Sequence, residues 1–130
     1  MRFKRDGKHR SGYETDTTAF MKTNGIKAEY EPKDKKLKYI KPASNHTYQI
    51  DYVLDNQIHL ECKGLFSASD RKKILLIKEQ YPHIDLRMVF MQPSKKLSKI
   101  SKTTYAMWCD KNSIKWGVMK DILAWSKERP

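Results

Sequence analysis

Cysteine is scarce in this sequence, and the two present cannot build a framework. Cys62 and Cys109 stand far apart and form no C-x-x-C pair. That argues against a disulfide-stapled scaffold and a paired-cysteine zinc site, and it implies reduced thiols in a cytoplasmic compartment. His46, His59 and His83 have no zinc-like spacing with each other or with the cysteines either. Long apolar runs are also missing. No stretch approaches the roughly 18 residues of a membrane span, and Met1-Arg2-Phe3-Lys4-Arg5 has no apolar signal-peptide core. No membrane is expected as a partner. Acidic residues are the third shortage, with 15 Asp and Glu against 27 Lys and Arg, a net charge of +12 at pH 7. Such an imbalance costs self-repulsion in the folded state. A polyanionic partner explains it best, and nucleic acid is the commonest one, because each bound phosphate releases counterions. A small basic protein with no nucleic-acid role is the alternative.

The 130 residues fit one domain, and 38% hydrophobic content supports one modest core. Residues 1–10 hold five basic residues and read as a flexible basic arm before a single domain over 11–130. Ser11-Gly12-Tyr13-Glu14 has capping-box form, and Tyr13, Thr17, Phe20 and Met21 recur on one helix face up to the stop at Asn24-Gly25. Strands are expected at Ile26–Glu31 and Leu37–Lys41, then an irregular connector over 42–46. Ser67 or Ser69 caps a helix running to about Tyr81, with Ile74, Leu75, Ile77 and Tyr81 as its buried stripe. A strand over Ile84–Met91, a basic loop over 93–102 and two short helices complete the chain. The order predicts an α/β fold with a mixed β-sheet flanked by helices.

The chemistry sits in a hairpin. Tyr48, Ile50, Tyr52 and Leu54 alternate with Gln49, Asp51 and Val53, and after a turn Ile58, Leu60 and Cys62 alternate with His59, Glu61 and Lys63. Paired residues share a face, so 50 pairs with 62, 52 with 60, and 54 with 58. Asp51 then lies opposite Glu61. Opposed carboxylates repel, but a hard divalent cation such as Mg²⁺ would make use of both. Lys63 projects from the same face, where it would orient or activate a water or neutralise phosphate charge. The Cys62 backbone carbonyl between them is a further candidate ligand. The competing reading is a solvated strand face with alternating charges. His59 shares the face and reads as a half-exposed strand residue that could border the site. The three tryptophans read as packing residues.

Asp51 followed at hairpin distance by Glu61-Cys62-Lys63 resembles the PD-(D/E)xK nuclease core, with Ile50 where that family usually has Pro. A closer set is Arg10-Ser11-Gly12 with Glu14, Pro42-Ala43-Ser44-Asn45-His46-Thr47-Tyr48, Asp51, Glu61-Cys62-Lys63-Gly64-Leu65 and Asp70-Arg71-Lys72-Lys73. In that order and spacing it resembles the endonuclease I family of T-odd bacteriophages, which are Holliday-junction resolvases. Gln57 departs from the Gly usual in the family's hairpin turn. The resemblance implies Asp51, Glu61, Lys63 and Glu14 as catalytic positions. Without it, Glu14 reads as the reciprocal partner of the Ser11 cap. It implies Mg²⁺ or Mn²⁺, one or two per site, held by Asp51, Glu61, the Cys62 carbonyl and Glu14, with no organic cofactor. It implies an intertwined, domain-swapped homodimer with residues 42–47 as the bridge, acting on branched DNA in the host cytoplasm. Phosphate contacts are expected from Arg5, Lys8, Arg10, Ser11, His46, Arg71, Lys72, Lys73, Lys95, Lys96 and Lys99, each of which could equally be a solvated side chain, a cap or a loop residue. The rival functions are a nicking or repair-type nuclease and a basic DNA-binding protein without catalysis.

Overall fold

The computed structural model describes residues 12–41 and 44–129. The basic arm, including Arg5, Lys8 and Arg10, and the expected cap residue Ser11 lie outside the described residues. Helix α1 (Gly12–Thr23) ends where expected. Gly25 takes the left-handed conformation at φ 65°, its amide bonds to the Lys22 carbonyl, and the Ile26 amide bonds to Met21. That pair of bonds closes the helix end and turns the chain into β1 (Ala28–Tyr30).

Strands β2 (Leu37–Lys41) and β3 (Ser44–Tyr48) form a two-stranded antiparallel unit. Over 44–46, where an irregular connector is expected, the chain is therefore strand. The continuous strand expected from Tyr48 also breaks. β3 ends at Tyr48, and β4 is only Tyr52–Leu54. Next come β5 (His59–Lys63), α2 (Ala68–Gln80), β6 (Leu86–Phe90), α3 (Tyr105–Lys111), β7 (Lys115–Gly117) and α4 (Asp121–Trp125). The main sheet has the order β1-β4-β5-β6-β7. Its β1–β4 and β4–β5 pairs are antiparallel, and its β5–β6 and β6–β7 pairs are parallel. This is the expected mixed sheet flanked by helices. β7 is an addition to that expectation. At Gly117 an added Cβ would come within 2.8 Å of the Trp125 ring, so α4 seats directly on the strand backbone.

Both faces of the sheet are covered, giving three layers. On one side Val53, Met88 and Phe90 pack with α2, α3 and the β2–β3 unit through Phe66, Ile74, Ile77, Tyr105 and Tyr48. On the other, Tyr52, Leu54, Leu60, Cys62 and Val89 meet Tyr13 and Met21 of α1 and Ile122 of α4. Ile50 belongs to the first cluster, not to the Tyr52 face where alternation puts it. Helix α2 begins at Ser67, whose hydroxyl accepts from the Asp70 amide while Asp70 accepts from the Ser67 amide. Its buried stripe is Ile74 and Ile77, with Leu76 and Tyr81 packed beside them. Leu75 is exposed, against expectation. Residues i and i+1 on a helix diverge by about 100°, so Ile74 and Leu75 cannot both face the sheet. Among the described residues, no helix is long and apolar enough to cross a membrane.

Candidate active site

The hairpin register matches parity at the 52–60 and 54–58 pairs, while the expected Ile50–Cys62 pair falls outside the ladder because β4 begins at Tyr52. Tyr52 pairs with Leu60 and Val53 with His59, and the Leu54 amide bonds to the Ile58 carbonyl. Asp51, just before β4, and Glu61 on β5 consequently meet, each only 2% exposed. Asp51 Oδ2 accepts the Cys62 amide at 2.9 Å. Burial, and then the charge of Glu61, push the Asp51 carboxyl up to about 8, with the Cys62 amide opposing them. Two carboxylates so placed cannot both carry charge comfortably without a cation. Among the described residues Lys63 adjoins them, its Nζ 3.8 Å from Glu61 Oε1 and 3.5 Å from Asp70 Oδ1.

Glu14 joins them from α1, 4% exposed. The Tyr52 hydroxyl donates to the Glu14 carbonyl at 2.7 Å, and the Tyr30 hydroxyl donates to Glu14 Oε1 at 3.4 Å. These tyrosines fix the first turn of α1 on the sheet. A fifth group is one that sequence reasoning misses. Glu31, at the end of β1, supplies a carboxylate oxygen that lies with those of Glu14 and Asp51 inside a mutual 4.8 Å. Its amide bonds to the Asp51 carbonyl, and its φ of 43° is left-handed. A non-glycine in that region is held there by its surroundings. The turn out of the strand period is what hides Glu31 from a parity argument. Its position immediately before Pro32, at the strand end, is the only sequence trace. Alternation marks Tyr48 only as an apolar strand position. Its hydroxyl donates to Glu61 Oε2, and Lys73 stacks over its ring at 5.7 Å.

Glu14, Asp51, Glu61 and Lys63 line an open cleft of about 600 Å³ with Tyr13, Cys62, Gly64, Leu65, Met91, Gln92 and Lys95. Of the predicted site residues, Glu14, Asp51, Glu61, Cys62, Lys63 and Lys95 thus come together. Lys96 and Lys99 are exposed in the adjoining loop. Lys72 and Lys73 lie on α2, whereas Arg71 Nη1 donates to the Phe66 carbonyl at 2.7 Å, tying down the segment before the helix. His46 stacks on Tyr39 in the β2–β3 unit. Cys62 and Cys109 are free and buried, and burial pushes both thiols up, Cys109 to about 12. His59 is buried at the edge of a different recess and bonds the Gln57 carbonyl, so it does not line the cleft. An all-carboxylate donor set with an adjoining ammonium could hold a hard cation such as Mg²⁺ or Mn²⁺.

Fold and site together define a small mixed-sheet α/β domain with a buried carboxylate–lysine centre at the antiparallel end of its sheet. A family model described as phage endonuclease I matches residues 1–129, and the chain belongs to that family. It is 45% identical over 122 residues to Endonuclease I of Escherichia phage T7, covering 94% of this chain and 80% of the relative. It is 44% identical over 105 residues to Endodeoxyribonuclease 1 of Enterobacteria phage T3, covering 81% and 68%.

Proposed function

We propose that this protein is a divalent-metal-dependent endodeoxyribonuclease of the PD-(D/E)xK type that resolves Holliday junctions by paired cuts, working as an intertwined homodimer in the host cytoplasm. The observation that carries this reading is the opposed, buried Asp51–Glu61 pair with Glu14 and Lys63 in one cleft. The relatives' printed names, Endonuclease I and Endodeoxyribonuclease 1, point to DNA as substrate.

Asp51, Glu14 and Glu31 would hold one cation, and Glu61 with the Cys62 carbonyl completes the donor set for it or for a second. When bound, the cation supplies Lewis-acid polarisation of the scissile phosphate and charge stabilisation of the attacking and leaving oxygens. Lys63 Nζ, steadied by Asp70, holds the attacking water in line or neutralises a phosphate oxygen. Lys95 at the cleft rim binds the flanking phosphate, and Lys96, Lys99, Lys72 and Lys73 extend that contact with the arm residues. Tyr48 fixes one oxygen of Glu61, leaving the other toward Lys63. Tyr48→Phe is expected to weaken Mn²⁺ binding about tenfold by calorimetry, the scale seen when a ligand's orienting partner is lost. DNA affinity in chelator should not change.

The dimer reading takes the connection over residues 42–47 as the bridge, of which 44–47 lie in β3 and 42–43 lie outside the described residues. Opening that connection would carry α1, β1 and β2 onto a second copy with the same contacts remade in trans, the low-cost route to exchange. Two sites on a two-fold axis suit paired cuts across a four-way junction.

The test is cleavage of a synthetic four-way junction, a linear duplex and a supercoiled plasmid, with Mg²⁺ and with chelator. Junction cuts that need metal and disappear in Lys63→Ala and Glu61→Gln, with junction binding retained, are expected. Cutting of linear duplex as fast as of junctions would point to a nicking or repair-type nuclease. Binding without cleavage under every divalent metal would leave a DNA-binding protein.

A further inference from the structure

The loop between β6 and α3 presents an isoleucine to solvent where nothing in the fold asks for one. Residues 94–103 read Ser-Lys-Lys-Leu-Ser-Lys-Ile-Ser-Lys-Thr. The loop is closed at its base. Lys96 bridges Thr104, the Leu97 amide bonds to the Thr103 carbonyl at 2.9 Å, and the Tyr105 amide bonds to the Lys95 carbonyl at 2.8 Å. Leu97 is anchored against the core. Above the base a serine turn is stitched together. The Ser101 amide donates to the Ser98 carbonyl and hydroxyl at 3.3 and 3.2 Å, and the Thr103 amide donates to Ser101 Oγ at 3.1 Å. Ile100 stands at the tip of this turn, 96% exposed.

A turn tip is the place for Gly, Asn, Asp or Ser, each with a local reason to be there. A β-branched apolar side chain offers no such reason and gains nothing from burial here. Its surroundings identify what would cover it. Lys95, Lys96, Lys99 and Lys102 are all exposed on the same loop, so the partner is strongly anionic. A wedge-sized apolar group ringed by phosphate-binding cations matches nucleic acid, whose apolar surface is the face of its stacked bases. The loop is also aimed by its attachment. Lys95 lines the carboxylate cleft, and five residues of chain reach at most about 17 Å. At about 3.4 Å per nucleotide along a strand, the tip lies within about five base steps of a phosphate held in the cleft.

We propose that Ile100 is a DNA wedge. With Lys95, Lys96, Lys99 and Lys102 on the flanking phosphates, it enters a base step that is already poorly stacked, such as one beside the exchange point of a junction, and so contributes to choosing branched over linear DNA. This rests on the DNA-binding half of the function proposed above, and not on cleavage. Unstacking is cheapest where stacking is already broken, so a wedge favours such a step.

The test uses the full chain in chelator, where binding is read without cleavage. The probes are a four-way junction and a matched linear duplex, each carrying a fluorescent aminopurine at a step near the cut position, walked through successive steps. Wild type and Ile100→Val are expected to brighten the probe at one junction step. Ile100→Ser should leave it dark and bind the junction about tenfold more weakly, on the scale of one lost apolar contact. Its linear-duplex affinity should stay within about twofold, and its salt dependence unchanged because every lysine remains. Ile100 is exposed, so an unchanged melting temperature checks the fold. Junction binding and brightening by Ile100→Ser equal to wild type would overturn the proposal, and so would a wild type that brightens no step. A wild type that cuts no DNA with any metal yet shows the Ile100-dependent brightening would overturn the nuclease reading while supporting the wedge.

Discussion

Asp51→Asn is expected to yield a protein that cleaves no DNA and yet melts higher than wild type when metal is withheld at pH 8. The two effects share one cause. Asp51 is 2% exposed and faces Glu61 across the hairpin. Asparagine keeps an oxygen for the Cys62 amide, so the hydrogen bond at 2.9 Å can survive. It removes the charge that a cation would need. Loss of several kcal/mol of transition-state stabilisation lowers the rate by about a thousandfold or more. Junction cleavage assays check this, and cleavage within tenfold of wild type would remove Asp51 from the site.

The stability arm follows from the raised Asp51 pKa. In the folded metal-free protein this carboxyl holds its proton up to about 8, while the unfolded chain releases it near the ordinary value of 3.8. Between those values the folded state binds more protons than the unfolded one. Stability is therefore greatest at the acid end and falls as pH rises from about 4 to about 8. The asparagine that replaces Asp51 does not titrate, so the variant is spared that loss. A gain on the order of 2–4 kcal/mol at pH 8 corresponds to roughly 5–15 °C in melting temperature. The gain should shrink toward pH 5. Mn²⁺ at about 100 times its Kd should raise wild-type stability by about 2.7 kcal/mol and the variant hardly at all. Thermal melts with chelator and with Mn²⁺ at both pH values measure all of this. A gain that grows toward acid pH would contradict the assignment.

The candidate site was legible where its geometry is periodic and illegible where it is not. Asp51 and Glu61 could be set opposite one another because Tyr52, Leu54, Leu60 and Cys62 fix the hairpin's parity. The same alternation misleads at Ile50, since this sheet is buried on both faces and an apolar residue there can serve either layer. The backbone breaks at 49–51, carrying Tyr48 into a separate sheet, where its hydroxyl still reaches Glu61. Glu31 lies beyond a parity argument because its left-handed φ aims its carboxylate out of the strand register. β7 escapes notice because Lys115-Trp116-Gly117 is too short to show a period and is defined by pairing with β6. Glu14 is the instructive intermediate. Its sequence context suggests a cap, and only tertiary packing by Tyr30 and Tyr52 brings it to Asp51.

That packing allows the proposed exchange of N-terminal elements to be tested by a result that is nearly all or none. If the protein is the proposed homodimer, the Glu14→Gln and Asp51→Asn dimers should each be inactive. In a mixed dimer of the two with self-contained sites, each site carries one lesion, and the mixture stays inactive. With exchanged sites the outcome differs. One site receives both substitutions together and is dead. The other receives Glu14 from the Asp51→Asn chain and Asp51, Glu61 and Lys63 from the Glu14→Gln chain, and it is intact. Mixed dimers, isolated by two different tags after co-expression, should then nick supercoiled plasmid at about half the wild-type rate per dimer. This is at least a hundredfold above either parent if one lesion costs about a thousandfold. On a junction they should cut one strand without its partner cut, because only one of the two symmetry-related sites works. Activity no higher than the parents would place Glu14 and Asp51 of each site on one chain. Residues 42–47 would then not bridge two subunits, and pairing of cuts would need some other source.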